Sequence, residues 1–564
     1  MQSCFFNFIP SGLFLLPRCI PETSLSKLTL YDSRLLTVQT LTIRAFPNTC
    51  EIRIIVVIAF NIYIENMSFV PGMAAMDECH HHILGGMESM KSKFRSLCST
   101  ALALTLGLTL LSGPASVQAA GNADYNLTGF SQGNAGGGII SESNTATYKK
   151  VYNATDLALA LKKNSGVKVV EIMNDLNLGW NEIPSAAQTS PFAKHNDALT
   201  HPVLKQTGVS KLTIDGFNGL TIFSANGSKI KHAAISVKRS SNVIIRNLEF
   251  DELWEWDEST KGDYDKNDWD YITLEENSNV WIDHCTFNKA YDGLVDSKKG
   301  TSGVTISWSL FKGDDGSSNS WVTQQINELE ANKASYPMYN YLRSSAVGLS
   351  KADIIAISGP QKKGHLVGST SLESANANLS MTLHHNLYKD IQDRMPRLRG
   401  GNAHAYNIVM DSTGARAAKA KITTAMATAI ASKGYKFDII GNGAISTESG
   451  AVLVEKSVIK DVLYPVRNNQ TDPADPTYTG KIRVTDTMYS LDGSSFRGSS
   501  DTSGSPLAPI PAVVKSFSWN GFSSLPYSYT TDDPSTLNAR LTASNGAGSG
   551  KLTWSKDNWL KTSY

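Results

Sequence analysis

The sequence predicts an all-β fold: a right-handed parallel β-helix with long loop insertions and a short N-terminal capping helix. Three observations predict it. First, a short pattern recurs: apolar, any residue, apolar, four further residues, then a large apolar residue. Val243, Ile245 and Phe250 fit it, as do Val280, Ile282 and Phe287, then Val304, Ile306 and Phe311, then Met381, Leu383 and Tyr388, and finally Val452, Val454 and Ile459; Ala403, Ala405 and Met410 fit weakly. Alternation inside each unit is the period-two signature of a strand. Second, the shortest spacings, 24 from Val280 to Val304 and 22 from Met381 to Ala403, are the length of one solenoid turn rather than of a propeller blade. The longer spacings of 37 and 77 read as one coil carrying a loop insertion. Third, turn residues separate the strands, as in Ser240-Ser241-Asn242 and Asn277-Ser278-Asn279. The units are β-branched and lack a helical stripe, so coil stacks on coil.

The N-terminal part reads as targeting sequence. Residues 90–119 resemble a secretory signal, with Lys91, Lys93 and Arg95 at its start, an apolar stretch from Leu97 to Leu111, and small residues suited to cleavage after Ala119. The apolar stretch is too short for a membrane anchor, and polar Gly121-Asn122-Ala123-Asp124 follows it. A signal starting at an internal methionine, Met90 or Met87, makes residues 1–89 upstream translation rather than native protein. His80-His81-His82 beside Cys79 falls in that segment and is not taken as a metal site. Cys4, Cys19, Cys50, Cys79 and Cys98 all precede the cleavage point. Only Cys285 remains, expected as buried packing, so the mature chain has no internal disulfide and depends on a large core. Lys+Arg 52 against Asp+Glu 51 gives no basic excess for nucleic acid. Removing residues 1–119, with 8 Lys+Arg and 7 Asp+Glu, leaves 44 of each. A neutral, secreted, extracellular protein is expected.

The later elements follow in order. Asp156–Lys163 has Leu157 and Leu161 four apart, a short helix suited to cap the open end of the solenoid. The insertion from about Asp314 to Pro360 is long and polar and is expected to form a lobe over one face. Residues 413–433 are Ala-rich and helical. From Asn468 the chain is rich in Ser, Gly, Pro and Thr. The β-helix is therefore assigned to 120–470, and a C-terminal arm packed on it to 471–564.

The candidate chemistry lies in two places. Arg394-Met395-Pro396-Arg397-Leu398-Arg399 concentrates three guanidinium groups on a proline-stiffened segment. Arginine pairs with planar acids through two parallel hydrogen bonds, which suits a polyanion bearing carboxylates. Upstream lie Asp268, Asp270, Asp292 and Asp296. Acids and arginines together suggest a metal-assisted site for an anionic substrate. Asp283-His284 and His384-His385-Asn386 read as structural pairs and stacks between coils. Trp254, Trp256, Tyr264, Trp269 and Tyr271 either line an aromatic cleft or pack their loop on the solenoid.

Trp281-Ile282-Asp283-His284, then Tyr291-Asp292-Gly293-Leu294-Val295-Asp296, then Arg394, Pro396 and Arg399 follow the order found in pectate lyases of polysaccharide lyase family one, which this sequence resembles. Gly129-Phe130 followed by Gly136-Gly137-Gly138 resembles the Gly-rich N-terminal segment of that family. The resemblance covers about residues 129 to 470. It implies calcium-dependent β-elimination of polygalacturonate. It implies Asp270, Asp292 and Asp296 as calcium carboxylates with Asp268 as a fourth, Arg394 as base, Arg399 as a substrate-carboxylate ligand, and Lys363, before Leu366-Val367-Gly368, as a second substrate ligand. Hard carboxylate oxygens without His or Cys suit Ca2+. An arginine base must give up a proton it ordinarily keeps, so activity should rise towards alkaline pH. The expected partner is polygalacturonate or pectin, with no nucleic acid, no membrane and a monomeric state. A pectin lyase acting on methyl-esterified chains, and a non-catalytic polysaccharide-binding β-helix, are the alternatives.

Overall fold

The computed structural model describes residues 124–195, 208–511 and 515–564, with the backbone of Val38–Ile43 and Ile52–Val57. Two compact units divide the chain, Met1–Ala115 and Ser116–Tyr564. In the first, Val38–Ile43 and Ile52–Val57 pair antiparallel. The expected signal at 90–119 and the cysteines before it lie outside the described residues.

The second unit is the parallel β-helix. Its strands form one nine-stranded and two ten-stranded sheets, and each coil contributes one strand to each sheet. The predicted repeat stacks in register. Val243, Val280, Val304, Met381, Ala403 and Val452 follow one another up one ten-stranded sheet. Phe250, Phe287, Phe311 and Tyr388 follow one another up the other. Their rings stack at 4.8, 4.9 and 5.0 Å between centroids, all fully buried. Each such ring contributes about 1.5–3 kcal/mol by burial.

The corner between the two ten-stranded sheets explains a part of the turn composition. Asn247, His284, Trp308, His385 and Asn407 occupy equivalent positions there, all with left-handed φ between 47° and 52°. Asn tolerates that conformation best. The aromatic occupants are held by stacking, Trp308 on His385 at 4.4 Å and on His284 at 5.9 Å. Asp283-His284 and His384-His385-Asn386 are thus inter-coil structure. Asp283 Oδ2 accepts from Arg246 Nε at 2.9 Å and Nη2 at 2.6 Å, with His284 Nδ1 at 2.8 Å. Arg246 and Asp283 have no solvent exposure, and against the effect of burial His284 and Arg246 hold the Asp283 carboxyl below the ordinary range. Cys285 is buried packing, its thiol pushed up to about 12 by burial.

The capping helix spans Ala154–Leu161, two residues earlier than the sequence suggests. Asn153 is the N-cap, accepting from the Asp156 amide at 3.0 Å, and Lys162 is already non-helical. Leu157 and Leu161 are buried against the end of the solenoid core.

Two expectations need correction. The insertion between Asp314 and Pro360 is not merely polar. It forms the helices Trp321–Ala331, Pro337–Arg343 and Lys351–Ser358, and with Thr413–Lys419 and Thr424–Ser432 it builds a second apolar core. Val322, Ile326, Leu329, Tyr339 and Ile354 are fully buried in it. The solenoid also runs past residue 470. Lys481–Thr485 and Thr487–Leu491 continue two of the sheets in parallel, because Ile482 and Val484 supply the inward alternation once more. The arm begins after this coil and returns along the solenoid. Asn520, Tyr527, Gly550 and Trp559 bond to Asn402, Thr382, Asn247 and Arg246 respectively.

Candidate active site

The nine-stranded sheet positions every candidate residue. Asp268 and Asp270 precede the strand Ile272–Glu275, and Asp292 and Asp296 flank and enter Val295–Lys298. Lys363 precedes Leu366–Val367; Arg394 precedes, and Arg399 ends, Arg397–Arg399. These four strands are consecutive neighbours in the sheet. Thr273 pairs with Asp296, and Leu366 pairs with Arg397, so residues distant in sequence share one outer face.

Carboxylate oxygens of Asp268, Asp270 and Asp292 lie within 4.8 Å of one another. Asp270 is deeply buried. One of its oxygens accepts from the Gly293 amide at 2.7 Å, the other from the Thr273 hydroxyl at 3.0 Å. Asp296 is buried beside it and accepts from the Leu366 amide at 2.9 Å. Gly293 is required by closeness. A Cβ there would stand 2.5 Å from Asp296 Oδ1 and 2.7 Å from Asp270 Oδ1.

Four acids converge with few counter-charges. Burial first, then Asp296, Asp292 and Asp268, push the Asp270 carboxyl well above the usual carboxylate range. Burial likewise raises Asp296 to about 7, although Arg394 opposes it. Like charges in a site of reduced dielectric disfavour each other. A divalent cation would relieve that repulsion, and an all-carboxylate donor set fits a hard ion. The residues present therefore fit the expected metal.

The cationic side faces the acids. Lys363 Nζ pairs with Asp292 Oδ1 at 2.6 Å. Arg399 Nη1 donates to the carbonyls of Gly368 at 2.8 Å and Ser369 at 2.5 Å, and its Nε lies 3.5 Å from Glu448. Arg397 donates to Thr471 at 3.4 Å. Burial, then Arg399 and Arg394, bring it down to about 10. Arg394 shares with both a buried Nε that has no hydrogen-bond partner. Unlike them, its guanidinium makes no hydrogen bond among the described residues, and its ion-pair contact there is Asp393, at 3.9 Å. Its backbone is left-handed, φ 66°, a conformation costly for a non-glycine residue and common where function holds it.

Sequence reasoning missed the supports. Gln361 Nε2 donates to the carbonyls of Asp292 at 2.6 Å and Lys363 at 2.9 Å, and its Oε1 accepts from the Ala290 amide. It ties two loops of the site together and carries no sequence signal. His195 Nε2 sits 3.0 Å from the Asp268 carbonyl. The aromatic loop is settled as packing: Trp254, Trp256, Trp269 and Tyr271 are buried, and Tyr264 packs on Trp254 and Tyr291.

The family profile described as pectate lyase matches residues 96–320 and 344–552. Pectate lyase B of Paenibacillus amylolyticus is 89% identical over 386 residues, 68% of this chain and 98% of that protein. A pectate lyase of Bacillus subtilis (strain 168) is 29% identical over 363 residues, 54% of this chain and 73% of that one. The solved structure of a pectate lyase from Paenibacillus sp. 0602 is 89% identical, covers 79% of this chain and 100% of its own, and superposes with a TM-score of 0.78. The chain therefore belongs to the pectate lyase family and is a polysaccharide lyase.

Proposed function

We propose that this chain is secreted through the segment 90–119, acts as a monomer, and cleaves α-1,4-linked polygalacturonate by calcium-assisted β-elimination to 4,5-unsaturated products. The observation that carries the reading is the juxtaposition of the Asp268, Asp270 and Asp292 carboxylates, with Asp296 beside them, and an arginine, Arg394, that is largely withdrawn from solvent and whose guanidinium makes no hydrogen bond among the described residues. Ca2+ held by Asp268, Asp270, Asp292 and Asp296 would supply Lewis acidity to a uronate carboxylate, stabilising charge that develops on deprotonation. Arg399, fixed by its two carbonyl contacts, and Lys363 hold and orient substrate carboxylates. Arg394 accepts the C5 proton. The electron pair of that C–H bond becomes the C4=C5 double bond, and the C4–O bond breaks with its electrons leaving on oxygen.

The burial of the loop's tryptophans and the presence of converging acids, which a metal-free pectin lyase site would not need, favour the unmethylated substrate. The test is absorbance of unsaturated product from polygalacturonate and from highly methylated pectin. Faster release from polygalacturonate supports the reading; release from methylated pectin alone would replace it with a pectin lyase.

A further inference from the structure

A second groove adjoins the acid cluster on the outer face of the nine-stranded sheet. It is lined by His195, Lys211, Lys238, Asp268, Glu275 and Lys298. Asp268 belongs to both, and His195 bonds its backbone at the shared rim. Strand register builds the floor: Lys238 stands opposite Glu275, which stands opposite Lys298, while Lys211 lies one strand further out on Ser210–Asp215.

The groove's charges are unevenly matched. Glu275 is shared by Lys238, at 3.1 Å, and by Lys299 outside the groove. Its charge is already answered. Lys211 is half-buried and has no ion pair or hydrogen bond among the described residues; Lys238 and Lys298 face it with like charge, Asp268 and Glu275 with opposite charge. A half-buried ammonium without a bonded partner is well placed to receive an anion's oxygen.

Position gives that anion its class. Neighbouring strands are about 4.8 Å apart, which puts the Lys211 strand about 14 Å from the strand of Asp296 and about 24 Å from that of Arg399. A chain that bears a carboxylate on every ring, laid across the strands, meets Lys211, Lys238 and Lys298 at one end and Lys363 and the arginines at the other, with the acid cluster proposed to hold calcium between them. We propose that this groove is a distal uronate-binding subsite, with Lys211 as its carboxylate ligand, and that it gives the enzyme a preference for long polyuronate chains. The inference rests on the proposed lyase function and deepens it.

The experiment uses the full chain, with Lys211→Gln and Lys211→Arg, assayed on trigalacturonate and polygalacturonate in calcium. Loss of one charge-assisted contact should raise KM for polygalacturonate about three- to tenfold in Lys211→Gln. KM for trigalacturonate and both kcat values should stay at parent levels, and Lys211→Arg should recover most of the loss. Equal KM changes on both substrates, or none on either, would overturn the subsite. A parent inactive on polygalacturonate would instead sink the lyase function beneath it.

Discussion

Lys363 and Asp292 form an ion pair of 2.6 Å at the mouth of the acid cluster. The same carboxylate that is to hold a cation is thus partly neutralised by a lysine. The pair divides the role of Lys363 into two measurable parts. Lys363→Met removes a positive charge that competes with a metal, so calcium binding without substrate should tighten, about fivefold. The same change removes a substrate-carboxylate ligand, so KM for polygalacturonate should rise. Calorimetric calcium titration together with steady-state kinetics reads both. Weaker calcium binding would mean that the lysine shapes the acids rather than opposing the cation.

Gly293 is the next position to change. Its missing Cβ is what lets Asp270 and Asp296 approach on either side of one peptide. Gly293→Ala should weaken calcium binding about 10- to 100-fold, the usual cost of disturbing groups that orient metal ligands. A calcium titration giving the parent's affinity would show that the two carboxylates are positioned without it.

Glu255 gives a pH prediction away from the acid cluster. It is buried and accepts from Asn267 Nδ2 at 2.8 Å; burial first pushes its carboxyl up to about 8. Its folded value lies above its unfolded one. Its contribution to stability is therefore full below the unfolded value, near pH 4.3, and is lost as pH rises through about 8. Glu255→Gln retains the acceptor and cannot ionise. Its Tm should match the parent at pH 5 and exceed it by several degrees at pH 9. A Tm difference that does not grow with pH would show that the carboxyl is not kept protonated by burial.

The two arginines should separate kinetically. Arg394→Lys alters reach and loses the planar fork at the position proposed to accept the proton, so kcat should fall about 10²–10⁴-fold with KM far less affected. Arg399→Lys should mainly raise KM. Near-normal turnover in the Arg394 variant would move the base elsewhere.

The parts of this structure that were legible in sequence are those set by local alternation. Val280, Ile282 and Phe287 announce a coil because inward positions must be apolar and the register repeats them. The coil at Ile482 and Val484 was hidden by a surrounding sequence rich in turn residues. Val322, Ile326 and Leu329 do stand at helical spacing, yet their partners Trp254 and Trp256 lie about seventy residues upstream, so the core they share is a tertiary fact. The acids and arginines of the site were legible as residue types in a family order. Gln361 and Thr273 were not, since what marks them is a bond to another coil.

The most direct test of the central account is calcium dependence of turnover on polygalacturonate. Initial rates of unsaturated product are measured for the parent and for Asp270→Asn, with calcium, with excess chelator, and after calcium is restored. The account predicts that the parent loses its rate in chelator and regains it with calcium, and that Asp270→Asn is slow throughout while keeping a folded β spectrum. A parent rate that survives chelation, or an Asp270→Asn enzyme as fast as the parent at the same calcium, would contradict it.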